Sequence, residues 1–168
     1  QMLACTVLRD GKEVISGHVL NEVVISQGAI ARIIELNTSI NGEHLTTFRS
    51  DGVIIATPTG STAYNLSAGG PIVHPRSLEI IITPINAHTF KQKPLVIPSD
   101  EVVDVEILPR ESEQEKIDVS LTLDGQTHHA LKRGDIVKVT AHPEHVKFLK
   151  RKKDTFYETL REKLGWGE

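Results

Sequence analysis

The stretch that decides the fold is Val53-Ile-Ile-Ala56 followed by Thr57-Pro-Thr-Gly-Ser-Thr-Ala-Tyr-Asn-Leu-Ser-Ala-Gly-Gly-Pro71. Its first four residues form a short, wholly apolar run bounded by turn formers, the pattern of a strand buried on both faces. The rest is built from glycine, alanine and hydroxyl side chains. Ser61 to Ala68 is expected to form a short helix, with Thr59 or Ser61 as N-cap and Gly69-Gly70-Pro71 as its stop. Glycines and alanines let a flat ring or a ribose approach the backbone closely. Thr59, Ser61, Thr62 and Ser67 supply short donors and acceptors, and Tyr64 a flat stacking surface. A helix opening near Ser61 would also aim free N–H groups at phosphate oxygens.

On either side, the chain reads as strands punctuated by tight turns. Leu3 to Arg9 and Glu13 to His18 flank Asp10-Gly11. Ala31 to Ile40 and Leu45 to Arg49 flank Asn41-Gly42, and Val119 to Leu123 and Thr127 to Leu131 flank Asp124-Gly125. Asx-Gly pairs suit hairpins because both central residues need positive φ. Further strands are expected at Asn21 to Ser26, Leu78 to Thr83, Leu95 to Ile97, Val102 to Leu108, Ile136 to Thr140 and His145 to Leu149, with a charged loop over Arg110 to Lys116. Asp154 to Leu164 reads as a helix, with Phe156, Leu160 and Leu164 on one face. Many short strands with frequent turns predict a mainly-β, two-sheet sandwich. The expected division is a β-sandwich domain over residues 1–150 and a helical tail over 151–168.

Composition narrows the class. The chain has 168 residues, 39% of them apolar, a net charge of -3 and a single cysteine, Cys5. The charge argues against nucleic acid as partner, and the one dense basic run, Lys147 to Lys153, reads as a solvated strand end. No internal disulfide is possible, so a reducing, cytoplasmic setting is the simple reading. No apolar run approaches the roughly 18 residues of a membrane span, and no signal peptide is evident. His142-Pro-Glu-His145 has ligand-like spacing, but no cysteine or second acid completes a tetrahedral zinc set.

Phe48 to Pro75 as a whole resembles the central signature of NAD kinases. Asn21-Glu22 before an apolar strand is similar to the family's Asn-Glu/Asp motif, and Asp124-Gly125-Gln126 to its Asp-Gly-Gln motif, all in the family's order. The resemblance implies the carboxy-terminal, mostly-β half of an enzyme that transfers the γ-phosphoryl of ATP to the adenosine-ribose 2′-hydroxyl of NAD. It implies NAD contacts from Asn21, Glu22, Thr59, Thr62, Ala63, Tyr64, Asn65, Leu66 and Ser67. Arg32 and Arg49 would lie near the dinucleotide as guanidinium forks, and Gln126 would reach the substrate. Asp51 would face a substrate held mainly by a neighbouring subunit, and the segment Thr83-Pro-Ile-Asn-Ala-His88 would approach the site.

The family's upstream Gly-Gly-Asp-Gly-Thr, whose aspartate is implied as base toward the 2′-hydroxyl and helps place magnesium or another divalent cation with ATP, does not occur in these residues, nor does a Walker-type loop. The chain alone is therefore expected to be inactive and to hold no metal tightly. A sandwich without its companion half should also self-associate through exposed apolar surface, with Phe156, Leu160, Leu164 and Trp166 normally packing on that half. Two alternatives compete: a lipid kinase of the diacylglycerol or sphingosine type, disfavoured by the Thr-Gly-Ser-Thr-Ala-Tyr core, and a non-catalytic β-sandwich binding or oligomerisation module.

Overall fold

The structure, a computed structural model, describes residues 1–28, 33–109, 118–149, 151 and 155–165. Among them the chain forms two antiparallel sheets of six strands. In the first, the order is β2 (Lys12–Val19), β1 (Leu3–Arg9), β12 (Ile136–Ala141), β9 (Val103–Ile107), β4 (Ile34–Ile40), β5 (Glu43–Ser50). In the second, it is β11 (Thr127–Leu131), β10 (Val119–Leu123), β3 (Glu22–Gln27), β6 (Gly52–Ala56), β7 (Glu79–Ile85), β8 (Leu95–Pro98). The three Asx-Gly pairs make the expected turns: φ is 50° at Asp10, 52° at Asn41 and 49° at Asp124, each followed by a glycine with positive φ.

Two patterns of burial follow from what covers each face. Strands β1, β9 and β4 alternate, burying Leu3, Cys5, Val7, Val103, Val105, Ile107, Ile34 and Leu36 between the sheets. The middle strands of the second sheet do not alternate. Val23, Ile25, Val53, Ile55, Ile80 and Ile82 enter the same inter-sheet core. Their neighbours Val24, Ile54, Ala56 and Ile81 form a second cluster on the outer face, capped by Ala68 and Val73. The small-residue segment is thus a lid on the outside of β3, β6 and β7, which explains why Val53 to Ala56 is apolar throughout. Each isoleucine so enclosed contributes about 1.5–3 kcal/mol.

The sequence reading needs correction at three places. His145 to Leu149 is not a strand; residues 143–149 are exposed coil. Strand β12 already bonds to β1 on one edge and β9 on the other, so no edge beside it is free. The expected helix over Ser61 to Ala68 is broken into a 3-10 turn, Gly60–Thr62, and one α-turn, α1 (Tyr64–Ser67), by the conformation of Ala63 (φ -97°, ψ -132°), which is neither helical nor extended. Neither piece has a side-chain cap, so Thr59 and Ser61 are not N-caps in this sense. The closing helix is α2 (Phe156–Leu164), capped by the Thr155 hydroxyl, which accepts from Glu158 N–H at 3.1 Å, and ended by Gly165 at φ 58°. It meets the body of the chain through Phe156, whose ring lies 4.7 Å from that of His74. Arg110 to Lys116, Ala31, Arg32, Lys150, Lys152, Lys153, Asp154 and Trp166 lie outside the described residues. Among the described residues, no helix is long and apolar enough to cross a membrane.

Candidate functional site

The site grows from one corner, where β2 turns into β3 against the chain leaving β6. Asn21 and Glu22 occupy that corner, and their backbone is gripped from two sides. From the lid, Thr57 N–H donates to the Asn21 carbonyl at 2.8 Å and Thr57 Oγ1 donates to the Leu20 carbonyl at 2.6 Å. Gly60 N–H in turn donates to Thr57 Oγ1 at 3.0 Å. Gly60 lies so close to the Asn21 carbonyl that any Cβ would overlap it. From the other side comes Asp124 at the β10–β11 turn. Its Oδ2 accepts from Leu20 N–H at 2.8 Å, its Oδ1 from Asn21 N–H at 2.8 Å and Glu22 N–H at 3.0 Å. Asp124 N–H donates back to the Glu22 carbonyl at 3.0 Å.

Glu22 is the unusual group. Its side chain is enclosed, 6% exposed, and Oε2 has no hydrogen-bond partner among the described residues. Burial, and then the charge of Asp124, push its carboxyl above the usual glutamate value, partly opposed by a hydrogen bond from Tyr64 N–H. Buried acceptors without partners are rare in folded proteins and ask for a donor. Beside it Tyr64 keeps 45% of its surface exposed, and Thr62 and Ser67 are exposed as well.

Other hydroxyl and amide groups of the lid are committed to the fold. Ser61 Oγ donates to the Pro58 carbonyl (2.7 Å) and accepts from Val73 N–H (3.1 Å). Asn65 is fully buried: its amide donates to the carbonyls of Ser61 (3.0 Å) and Pro71 (3.1 Å), and its Oδ1 accepts from the Thr83 hydroxyl at 2.7 Å. Three of the N–H groups at the start of the expected helix are already engaged: Ser61 N–H and Ala63 N–H donate to the carbonyls of Pro58 and Gly60, and Tyr64 N–H to Glu22.

A family model, the ATP-NAD kinase C-terminal domain, matches residues 20–151. This chain belongs to the ATP-NAD kinase family. It is 47% identical over 167 residues to a protein named NAD kinase of Geobacter sulfurreducens, covering 99% of this chain and 57% of that one. A Geotalea daltonii protein of the same name is 44% identical, with the same coverage. The chain thus spans 57% of the length of these curated relatives. The crystal structure of yeast NADH kinase complexed with NADH superposes with a TM-score of 0.90 at 30% identity, over 99% of this chain and 50% of that one. An NAD kinase from Archaeoglobus fulgidus, solved in complex with ATP, gives a TM-score of 0.67 at 25% identity, over 84% of this chain and 51% of that one. Nothing in these likenesses supports a lipid kinase or a free-standing module.

In this ATP-NAD kinase domain the residues expected from sequence fall into two groups. Asn21, Glu22, Thr59, Thr62, Ala63, Tyr64, Asn65, Leu66 and Ser67 gather at the end of β6 where the lid begins, with exposed Gln126 on the adjoining β10–β11 turn. Arg49 and Asp51 lie at the other end of β6, on the order of 16 Å away for five extended residues. There the Asp51 carboxylate accepts from the Asn86 amide at 2.9 Å, His88 N–H donates to the Arg49 carbonyl at 2.9 Å, and the Arg49 guanidinium pairs with Glu35 at 3.1 Å on an open surface. Arg32 is outside the described residues. Sequence reasoning passed over Asp124 and Thr57. An Asp-Gly pair signals a turn and gives no sign of a reach across more than a hundred residues to Leu20. Among the described residues no group of three or more His, Cys, Asp or Glu side chains is arranged to hold a metal.

Proposed function

We propose that this domain holds NAD for phosphorylation at the adenosine-ribose 2′-hydroxyl by ATP. The carrying observation is the enclosed Glu22 carboxyl with an unpartnered oxygen, next to Asn21 in the chain and bonded to the backbone N–H of Tyr64, whose side chain is exposed. A sugar hydroxyl is the donor that such an oxygen lacks, and a purine is the flat partner that such a ring takes. Asn21 can donate to and accept from an adenine edge. The names and bound molecules of the related kinases and solved structures support the same assignment.

In the reaction, the 2′-oxygen forms a bond to the γ-phosphorus while the bond to the β,γ-bridging oxygen breaks. ADP leaves, and the hydroxyl proton passes to a base. Such transfers depend on placement and charge neutralisation. This chain's residues supply the placement: Glu22 and Asn21 orient the adenosine, and the lid keeps water from its back. The base, which the family resemblance puts in Gly-Gly-Asp-Gly-Thr, is not among these residues. A divalent cation would accompany the ATP, where it neutralises phosphate charge. Homo-oligomerisation and a cytoplasmic location belong to the same proposal. The buried Cys5, its thiol pushed up to about 12 by burial, suits a compartment where cysteines stay reduced and inert.

The test is calorimetric titration of NAD into folded variants of the natural protein. Asn21→Ala leaves a ligand atom unpaired, at a cost of about 1–3 kcal/mol. Tyr64→Ala removes a base–aromatic stack of about the same worth. Each should weaken NAD binding by roughly five- to over a hundredfold, while Asp10→Ala at a remote hairpin leaves it unchanged. Wild-type affinity in both site variants sinks the assignment.

A further inference from the structure

We propose that Asp124 is a positioning residue for NAD: it aims Asn21 and Glu22 without touching the nucleotide itself. This rests on the reading of Asn21 and Glu22 as NAD contacts. A hairpin turn needs only the backbone conformation, and Asp10 makes the same turn at φ 50° with an exposed side chain. Asp124 adds three bonds that the turn does not require. Its carboxylate accepts from the N–H groups of Leu20, Asn21 and Glu22 at 2.8, 2.8 and 3.0 Å. These are three consecutive residues, the last two being the proposed readers of the nucleotide.

An ionised acceptor of this kind makes bonds about twice as strong as neutral ones. Thr57 and Gly60 hold the same segment from the opposite side. Together the two contacts remove the freedom of the peptide planes on both sides of Asn21, and with it the uncertainty in where the Asn21 amide and the Glu22 carboxyl point. Misplacing a recognition group by an ångström is enough to lose its bond. The negative charge does a second thing: after burial, it is what disfavours ionisation of Glu22.

The experiment compares Asp124→Gly, Asp124→Asn, Asp10→Gly and Asn21→Ala in the natural protein, reading KM for NAD, KM for ATP, kcat and melting temperature. Glycine accepts the left-handed turn, so Asp124→Gly removes the three bonds without backbone strain. Its KM for NAD should rise at least about tenfold, with KM for ATP unchanged. Asparagine tolerates the same φ and keeps one oxygen toward Asn21 and Glu22, but it turns an NH2 toward Leu20 N–H. Its KM for NAD should rise only about threefold, a partial rescue. Asp10→Gly should change neither constant. A folded Asp124→Gly with wild-type KM for NAD, or one whose only defect is a lower kcat and melting temperature, overturns the proposal. Should Asp124→Gly not fold, Asp124→Asn decides, and an unchanged KM overturns it. A wild-type KM for NAD in Asn21→Ala instead refutes the NAD reading itself, and this inference falls with it.

Discussion

At the scale of single residues, the site sets function against stability at Glu22. Its carboxyl is raised above the ordinary glutamate value of about 4.3, first by burial and then by Asp124. The sign follows from linkage. A carboxyl whose folded-state pKa exceeds its unfolded one binds its proton more tightly when folded. That group therefore favours folding at low pH, and the advantage is lost as pH rises from the unfolded value through the folded one. Above that window the folded protein carries a buried, incompletely paired charge. Glu22→Gln removes it while keeping the shape. The variant should melt higher than wild type at pH 7, by a margin that shrinks toward pH 4, and should bind NAD more weakly because an amide replaces the acceptor pair. Thermal melts across that pH range, with NAD titrations beside them, check both halves. A variant that melts lower at pH 7 would show that Glu22 is paired in the fold after all. Asp135 behaves in the opposite sense. Burial alone would raise it, but the bidentate bonds from Arg9 at 2.8 Å and the N–H of Lys132 hold it below the usual aspartate value, so its contribution is present at neutral pH and lost on acidification.

At the scale of elements, the lid is held by Asn65 more than by helix propensity. A four-residue α-turn with no cap cannot stand alone, yet Asn65 ties it to Ser61, Pro71 and Thr83 with three buried bonds. Asn65→Asp would set a carboxylate against two carbonyl oxygens, and should cost about 3 kcal/mol or more, read as a lower denaturant midpoint. A loss under about 0.5 kcal/mol would mean the lid is fastened elsewhere. This division of labour marks how far the sequence could be read. The Asx-Gly hairpins, the alternation of β1, β4 and β9, and the unbroken run of β6 were all legible because local chemistry fixes them. The break at Ala63 was not, because it is imposed by Glu22 taking Tyr64 N–H, a contact between residues 42 apart in sequence. His145 to Leu149 has strand composition, but β12, which it follows, is already paired on both sides, and strand neighbours are a property of the finished sheet. Glycines and hydroxyls identified the lid, but not which hydroxyls face outward; Ser61 and Ser67 are alike in sequence and opposite in burial.

At the scale of the whole molecule, the proposed NAD contacts do not meet in one chain. Asn21, Glu22 and Tyr64 lie at one end of β6 and Arg49 and Asp51 at the other, and a rigid five-residue strand keeps them apart. Apolar surface is open on β8 at Leu95 and Val96, in the β7–β8 connection at Phe90, and on α2 at Leu164. Exposed apolar patches of this kind mark association surfaces, and closed two-fold assembly is the commonest outcome. If a second copy brings its Asp51 corner to the lid of the first, then Asn21→Ala and Asp51→Ala damage the same site from different subunits. Each variant alone should be impaired at every site. Mixed and reassembled in equal amounts as a two-fold dimer, half the dimers would be hybrids, each with one doubly altered and one intact site, so about a quarter of all sites should regain wild-type NAD affinity. The recovery is read by calorimetry on the mixture, with light scattering to establish the assembly. A clean monomer at micromolar concentration, or a mixture no better than its parents, would mean that Asp51 serves only its own chain through the Asn86 contact.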